Sequence, residues 1–363
     1  MWVKELSIQN FRNFKGLQVN LKNNINVVYG DNANGKTNLI EAIYLCATGK
    51  SQRAGHDREL VSFGKTEAHL QATVLEGQDN SAQLKIDVHL FSEGKKKGIA
   101  VDHVPIKKLS QLFGLFLVVI FTPEDLRIVK AGPAERRTFM DIELCQLSGT
   151  YYHALHRYYK ALRQRNNLLK SIYKDRSLAD TLSVWDTPLC EYGSQIMQHR
   201  LNFVQDIGDI ASRIHSNITG KKESLSLHYR PQVTSDYEER IKRSAERDIL
   251  LGNTSVGIHK DDLAFVINGN DVRTYGSQGQ QRTAALSVKL AEIELIKART
   301  RSTPVLLLDD VLSELDESRQ GFLFKHIGEI QTILTCTGVE DVLKRTSSDT
   351  CNIMKMVEGV IHE

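Results

Sequence analysis

The alternation of hydrophobic and polar positions predicts β structure in the first part of the chain. Leu84, Ile86, Val88 and Leu90 alternate with polar residues, so they share one face of a strand. A turn containing three lysines follows at 92–98, after which the apolar alternation resumes. This pattern indicates a hairpin.

Two further apolar runs predict buried strands near the first helix. Ile25 to Tyr29 is a short β-branched run that ends at Gly30, and a helical stretch follows from Lys36 to about Ala47. The longest apolar run, Leu112 to Phe121, also predicts a buried strand. It is too short for a bilayer, which needs about 20 residues.

The spacing of apolar residues predicts helices from about Leu126 to Arg247 and strands again after that region. Apolar positions recur there at helical spacing, as in Ile196, Leu201, Val204 and Ile207. A strand then leads to a turn at Asn268-Gly269, and a long helix follows from about Gln280 to Arg301. That strand contains Leu263, Phe265 and Ile267, and the helix stripe contains Leu286, Leu290, Ile293 and Ile296.

Length and charge limit the possible classes of protein. The chain has 363 residues, which suggests two compact units at roughly 150 residues per domain. Its net charge of +3 excludes a strong polycation. However, residues 126–177 contain eleven Lys and Arg against four Asp and Glu, so a nucleic-acid surface could form there.

The cysteines and the N-terminus favour a cytosolic protein without a zinc site. The cysteines are scattered, and none forms a C-x-x-C pair. We expect them to be small buried residues. The first ten residues lack the basic and apolar regions of a signal peptide. The cysteines are Cys46, Cys145, Cys190, Cys336 and Cys351.

A glycine-rich segment carries the strongest chemical signal. The pattern G-x-x-x-x-G-K-[ST] is matched by Gly30-Asp31-Asn32-Ala33-Asn34-Gly35-Lys36-Thr37. Its backbone N–H groups would surround phosphate oxygens, Lys36 would reach the β- and γ-phosphates, and the Thr37 hydroxyl would bind Mg²⁺. A strand precedes the segment and a helix follows it, which argues against a chance glycine turn.

A buried strand ending in carboxylates is the expected partner of this loop. Val305 to Leu308 is apolar and leads into Asp309 and Asp310. Asp309 would lie at the carboxyl edge of a parallel sheet and hold Mg²⁺ through water. Alone, such a strand and turn would be common. Together with the phosphate loop it predicts a nucleotide-binding site.

A third motif resembles the signature of ABC-type ATPases. It consists of Ser277-Gln278-Gly279-Gln280-Gln281-Arg282, at the start of a predicted helix. A helix N-terminus offers N–H groups and a positive dipole end. In ABC-type ATPases these groups contact the γ-phosphate of ATP held by the other subunit, so ATP closes a dimer. Read alone, the segment could be a polar helix cap.

The segment Ser313-Glu314-Leu315-Asp316 resembles the ABC D-loop, which crosses the dimer interface in that family, although it could also be a plain helix cap.

Blocks from end to end of the chain resemble the bacterial RecF family. The RecF-like blocks are Asn10 to Phe14, Phe121 to Leu126, Arg136 to Asp141 and Gly257 to Leu263. The match is weakest from about Ser171 to Glu246.

The resemblance implies an ATP-dependent homodimer that acts in DNA repair. It implies binding to double-stranded DNA near single-strand gaps, and work with RecO and RecR to load RecA. It also places Arg12 and Asn13 beside the nucleotide. The expected ATP contacts are then Arg12, Asn13, Gly30, Asp31, Asn32, Ala33, Asn34, Gly35, Lys36, Thr37, Asn38, Ser277, Gln278 and Gly279.

The sequence departs from the general ABC pattern at the catalytic positions. Asp310 stands where a glutamate base is usual and is one methylene shorter. A base about 1 Å out of place could cost on the order of 10²-fold in rate. We therefore expect slow hydrolysis with Lys36, Asp309 and Asp310 as the catalytic residues. Thr335 or Thr337 would sense the γ-phosphate in place of a switch histidine, and the segment at 121–125 replaces the Q-loop.

The basic helical region supplies the candidate DNA contacts. Several of its cations fall on one face of a predicted helix, interleaved with tyrosines, which suits phosphate contact without sequence reading. A solvated face with core tyrosines is the alternative. The candidates in this region are Arg136, Arg137, Arg157, Lys160 and Arg163, and the further candidates Lys50 and Arg53 lie just beyond the helix that follows the phosphate loop.

The sequence as a whole predicts an α/β fold with a divided ATPase head. The two nucleotide motifs lie about 270 residues apart, so residues 1–125 and 250–363 would form an ABC-type P-loop head and residues 126–249 a mostly helical second lobe. Two other classes remain open. One is the ATPase subunit of a membrane transporter, and the other is an ATP-dependent scaffold that binds protein rather than DNA.

Overall fold

A computed structural model describes residues 1–77, 82–125, 128–328, 330–344 and 351–362. The chain forms two compact units. One contains Met1–Leu126 and Glu292–Glu363, and the other contains Arg127–Ala291. The sequence analysis placed the two boundaries after residues 125 and 249. The return to the first unit lies at residue 292 rather than at 250.

The regular elements are numbered along the chain. The strands are β1 (Trp2–Phe11), β2 (Phe14–Asn20), β3 (Ile25–Tyr29), β4 (Glu67–Glu76), β5 (Ala82–Phe91), β6 (Gly98–Val101), β7 (Val104–Pro105), β8 (Val118–Phe121), β9 (Leu225–Arg230), β10 (Asp262–Ile267), β11 (Asn270–Asp271), β12 (Val305–Asp309), β13 (Thr332–Cys336), β14 (Cys351–Val357) and β15 (Val360–His362). The α-helices are α1 (Lys36–Thr48), α2 (Pro133–Leu147), α3 (Gly149–Ile172), α4 (Ser183–Ile218), α5 (Tyr237–Leu251), α6 (Val272–Tyr275), α7 (Gln278–Thr300), α8 (Glu317–Ile327) and α9 (Glu340–Leu343).

The first unit contains two sheets. One is antiparallel in the order β2-β1-β4-β5-β6-β7, and the other has the order β15-β14-β3-β13-β12-β8. In the second sheet β14, β3, β13, β12 and β8 are parallel, and β15 is an antiparallel edge. The carboxyl ends of β3 and β12 therefore meet at the same edge, where ligands bind in such sheets.

The core of the first unit confirms the predicted patterns. Ile86, Val88 and Leu90 are buried on one face of β5, and every residue from Val305 to Asp309 in β12 is buried. Strand β3 spans the predicted five residues. Parallel strands covered on both faces are mostly apolar, as β3 is apart from Asn26 and β12 is up to Asp309.

The second unit combines helices with a small antiparallel sheet, which explains the later boundary. Strand β9, which alternates apolar and polar residues but lay inside the region predicted as helical, pairs with β10 along its whole length, from Leu225 opposite Ile267 to Arg230 opposite Asp262. The strand pattern after Gly252 therefore belongs to the second unit. The predicted turn at Asn268-Gly269 is confirmed, with both residues at positive φ.

Two local predictions were wrong. Of the run Leu112 to Phe121, only β8 is a strand, because Gly114 adopts a φ of +83° and turns the chain before it. Leu201 was predicted to lie on the buried face of its helix, yet it is 48% exposed, while Phe203 and Val204 of α4 are buried.

No helix in the described parts of the chain is long and apolar enough to cross a membrane.

Candidate nucleotide-binding site

The phosphate loop lies between β3 and α1, and its two glycines are required by its shape. Gly30 has a φ of +154°, and a Cβ added there would lie 2.3 Å from the carbonyl oxygen of Met356. Gly35 has a φ of +107°, and a Cβ there would lie 2.7 Å from Nδ2 of Asn13. A residue with a side chain would clash in both places.

The opening block identified by resemblance lies against this loop. Asn13 donates from Nδ2 to the carbonyl of Asn34 at 3.2 Å and accepts from Nδ2 of Asn38 at 2.7 Å. Arg12, at a φ of +53°, forms two 2.9 Å bonds to the buried carboxylate of Glu41. Glu41 was missed by sequence reasoning, because nothing in α1 shows that an arginine from the turn between β1 and β2 reaches it.

Lys36 is nearly buried and turns back onto the loop. Its ammonium donates to the carbonyl of Gly30 at 2.6 Å and to that of Asp31 at 2.8 Å. These bonds hold the charge at the mouth of the loop. Phosphate oxygens are stronger acceptors than carbonyls, so a nucleotide can take these donors over.

A hydrogen-bonded chain joins the loop to the end of β12. The Thr37 hydroxyl donates to Oδ1 of Asp309 at 3.0 Å, and the Thr335 hydroxyl donates to the same oxygen at 2.7 Å. Burial raises the pKa of the Asp309 carboxyl, while the two hydroxyl bonds act to lower it. The predicted metal pair, Thr37 and Asp309, is therefore brought together.

Thr335 and Thr337, the two residues predicted to sense the γ-phosphate in place of a switch histidine, differ in their surroundings. The hydroxyl of Thr335 donates to Asp309, and its role as a phosphate sensor stays a prediction. Thr337, just beyond β13, is exposed. Asp310 has a φ of +52°, and its amide donates to the Thr335 hydroxyl at 3.0 Å. Burial raises the pKa of the Asp310 carboxyl, and the charge of Lys36 opposes that rise.

In the second unit, Ser277 caps the start of α7. Its hydroxyl oxygen accepts from the amide of Gln280 at 3.2 Å, and its own amide donates to Oε1 of Gln280 at 2.9 Å. This capping box fits the plain-cap alternative, yet it leaves the hydroxyl proton of Ser277 free to donate to a ligand. The signature reading and the cap reading are compatible.

The D-loop segment has the local structure of a cap. Asp316 accepts from the amide of Arg319 at 2.9 Å at the start of α8, and Ser313 donates to the carbonyl of Asp310 at 2.8 Å. Its similarity to an interface loop remains a prediction.

The candidate DNA contacts divide by burial. Arg136 is 2% exposed and forms bonds of 2.7 and 2.9 Å to both carboxylate oxygens of Asp262, so its prediction as a DNA contact was wrong. Arg137 is half-buried and donates to the carbonyl of Asp261. The exposed candidates are Lys50, Arg53, Arg157, Lys160 and Arg163.

The tyrosines among these cations are partly core. Tyr151 and Tyr158 are fully buried, and so is Arg165, whose guanidinium bonds to Asp186 and Asp248. The aromatic interleaving is thus a packing pattern at these positions. The exposed basic face of α3 does not depend on it.

The chain resembles characterised proteins over its full length. The family profile described as RecF/RecN/SMC N terminal domain matches residues 2–362. DNA replication and repair protein RecF of Lachnoclostridium phytofermentans is 49% identical, and that of Lachnospira eligens 50%, each over all of both chains.

Solved structures agree with these relatives. A structure of the recombination mediator protein RecF with ATPrS superposes with a TM-score of 0.91 at 34% identity, covering 99% of this chain and 97% of the other. An Smc head bound to the C-winged helix domain of ScpA gives 0.58 at 14% identity, which supports the fold alone. The chain is therefore a member of the RecF family of DNA replication and repair proteins, with an ATPase head of the SMC type.

Proposed function

We propose that this chain is an ATP-dependent DNA-binding protein that dimerises around two ATP molecules on DNA. The observation that carries the proposal is the Thr37–Asp309 hydrogen bond, which joins the phosphate loop to the carboxylate of β12 at 3.0 Å. These two groups are the hydroxyl and carboxylate that a P-loop ATPase needs for Mg²⁺. Ser277 on the other unit would serve ATP bound by a second copy.

The residues present fit Mg²⁺. A hydroxyl and one carboxylate are hard oxygen ligands, and Mg²⁺ takes its remaining ligands from phosphates and water. In the described ranges no three His, Cys, Asp or Glu side chains cluster as a cage for a metal. Mg²⁺ would neutralise phosphate charge there, with Thr37 binding it directly and Asp309 through water.

Hydrolysis is proposed to be slow. Asp310 is the carboxylate next to Lys36, but its side chain is short and its backbone is fixed by Thr335. ATP would then act mainly as a dimerisation switch. We expect a turnover below ~10 s⁻¹, the median for enzymes.

The DNA partner is proposed from the exposed face of α3 and from the relatives. Arg157, Lys160 and Arg163 are exposed at spacings that place them along one helix face. The matched structure is described as a recombination mediator of the RecFOR pathway. We therefore propose duplex DNA with single-strand gaps as the ligand, and RecO and RecR as partners in loading RecA.

Fluorescence anisotropy of a labelled gapped duplex tests this proposal. Binding with ATP–Mg²⁺ is compared with ADP–Mg²⁺ at fixed salt for the wild type and Ser277→Arg. Ser194→Arg, on an exposed position of α4, adds the same charge elsewhere. Tight binding that needs both ATP and Ser277 supports the clamp. Equal, weak binding in every condition would contradict it and favour an ATP-dependent protein scaffold.

A further inference from the structure

Glu223 is a carboxylate whose two oxygens connect two helices of the second unit. Oε1 accepts from Nε2 of Gln280 in α7 at 2.9 Å, and Oε2 lies 3.1 Å from Nε2 of His215 near the end of α4. His215 is fully buried, and its other ring nitrogen lies 3.3 Å from the hydroxyl of Ser287. Glu223 therefore ties the first turn of α7 to α4.

The Glu223 carboxylate also determines the orientation of the side-chain amide of Gln280. A carboxylate only accepts hydrogen bonds, so the NH₂ group of Gln280 must point toward Glu223. The amide oxygen must then point the other way, where it accepts from the backbone N–H of Ser277 at 2.9 Å. A reversed amide would direct NH₂ at that N–H and open the cap.

We infer that Glu223 is a positioning residue for the ATP signature, acting through Gln280 on Ser277. With the cap closed, the hydroxyl oxygen of Ser277 accepts from the backbone N–H of Gln280 at 3.2 Å, and its proton can be donated to a ligand. The backbone N–H groups of Gln278 and Gly279 belong to the first turn of α7, and the N-terminus of a helix is the end that attracts anions. This inference rests on the proposed function, because the ligand is ATP held by a second copy.

Three variants separate this role from simple folding. Glu223→Ala removes both acceptors, and Gln280→Ala removes the link while leaving the Glu223–His215 contact. Glu223→Gln keeps an oxygen for Gln280 and turns its amide toward His215, whose ring nitrogen can accept in the neutral tautomer. Glu246→Ala is the matched control, since Glu246 is an exposed carboxylate of the same unit that pairs with exposed Arg176.

Three measurements are made on each full-length variant. Amide hydrogen exchange of the peptide at 275–279 reports the Ser277 cap without any ligand. Analytical ultracentrifugation with ATP–Mg²⁺ reports dimerisation, and a fluorescent ATP analogue reports binding to the phosphate loop. We expect both alanine variants to exchange faster and to dimerise ~10-fold more weakly, since hydrogen bonds to charged groups are the stronger kind. Nucleotide binding should stay within ~3-fold of wild type in every variant. In Glu223→Gln and Glu246→Ala, dimerisation should also stay within ~3-fold of wild type.

The outcomes distinguish this inference from the proposed function. Unchanged exchange in Glu223→Ala and Gln280→Ala overturns the positioning role, as does full dimerisation of both. Equal loss in Glu246→Ala would also overturn it, by showing a general effect on the unit. If the wild type does not dimerise with ATP, the proposed function fails, and the exchange data still decide whether Glu223 sets the cap.

Discussion

At the scale of single residues, Asp309 has to stay charged in a place that disfavours charge. It is 8% exposed, and burial raises the pKa of its carboxyl even though two hydroxyls donate to it. Buried carboxylates that serve as cation ligands commonly destabilise the protein when no cation is bound. The same carboxylate that would bind Mg²⁺ should therefore weaken the nucleotide-free protein.

We predict that Asp309→Asn raises the melting temperature of the nucleotide-free protein at pH 7. A carboxyl with a raised folded-state pKa lowers stability as pH rises above its unfolded pKa, so the advantage of asparagine should vanish in acid, where the wild-type group is protonated. Affinity for Mg²⁺ with ATP should fall by about 10–100-fold, as for an outer-shell ligand. Calorimetry against pH and Mg²⁺ titration measure the two effects. Asp209→Asn, at an exposed position, is the control, and a lower melting temperature for Asp309→Asn would contradict the burial argument.

The sequence could predict the loop, its lysine and the Thr37–Asp309 pair, because the motifs fix where strand ends place these residues. It could not predict that the Thr335 hydroxyl donates to Asp309. Arg136 failed for a related reason. Its partner Asp262 lies 126 residues away, and a sequence shows a charge but not the distant group that buries it.

At the scale of elements, Arg136 joins α2 to β10 inside the second unit. We predict that Arg136→Ala lowers the free energy of unfolding by about 3–5 kcal/mol, because it leaves the Asp262 carboxylate without its buried partner. Urea unfolding measures this. Arg176→Ala breaks an exposed pair with Glu246 and should cost at most ~1 kcal/mol. Equal effects of the two would show that the Arg136 pair does not stabilise the unit.

For the exposed cations of α3 we predict an effect on DNA binding rather than on stability. Replacing Arg157, Lys160 and Arg163 with alanine should leave stability nearly unchanged but reduce the salt dependence of DNA binding, by about one unit of slope for each lost phosphate contact. Anisotropy across a salt series measures the slope. Alanines at Lys242 and Arg243, exposed on α5 and paired with Glu238 and Glu239, form the matched control. An unchanged slope in the α3 variant would remove this face from the DNA surface.

Element boundaries show where a local pattern is insufficient. Helices α1 and α7 and strands β3 and β12 follow from periodicity, since each buries a face that its own residues define. Strand β9 also alternates, with Leu225, Leu227 and Tyr229 at every second position, but its six residues lie between α4 and α5 and were included in the region predicted as helical, so its pairing with β10 was missed. That one pairing moves the unit boundary from 250 to 292.

At the scale of the whole molecule, the proposed clamp needs residues from two copies at each ATP. Lys36→Met should prevent nucleotide binding in its own copy, and Ser277→Ala should remove a donor to the nucleotide of the other copy. Loss of one such donor typically costs about 10²–10³-fold in rate. Each variant alone should therefore be nearly inactive as an ATPase.

Mixing the two inactive variants should restore activity. In a dimer with two-fold symmetry the mixed pair has one intact composite site, made from Lys36 of one copy and Ser277 of the other. Random pairing makes half of the dimers mixed, so the mixture should reach about a quarter of wild-type activity. The measurement is phosphate release at constant total protein, with each variant mixed with wild type as the reference. If the mixture stays as inactive as its components, Ser277 acts within its own chain or not at all, and the slow hydrolysis would belong to a monomer rather than to an ATP-closed clamp.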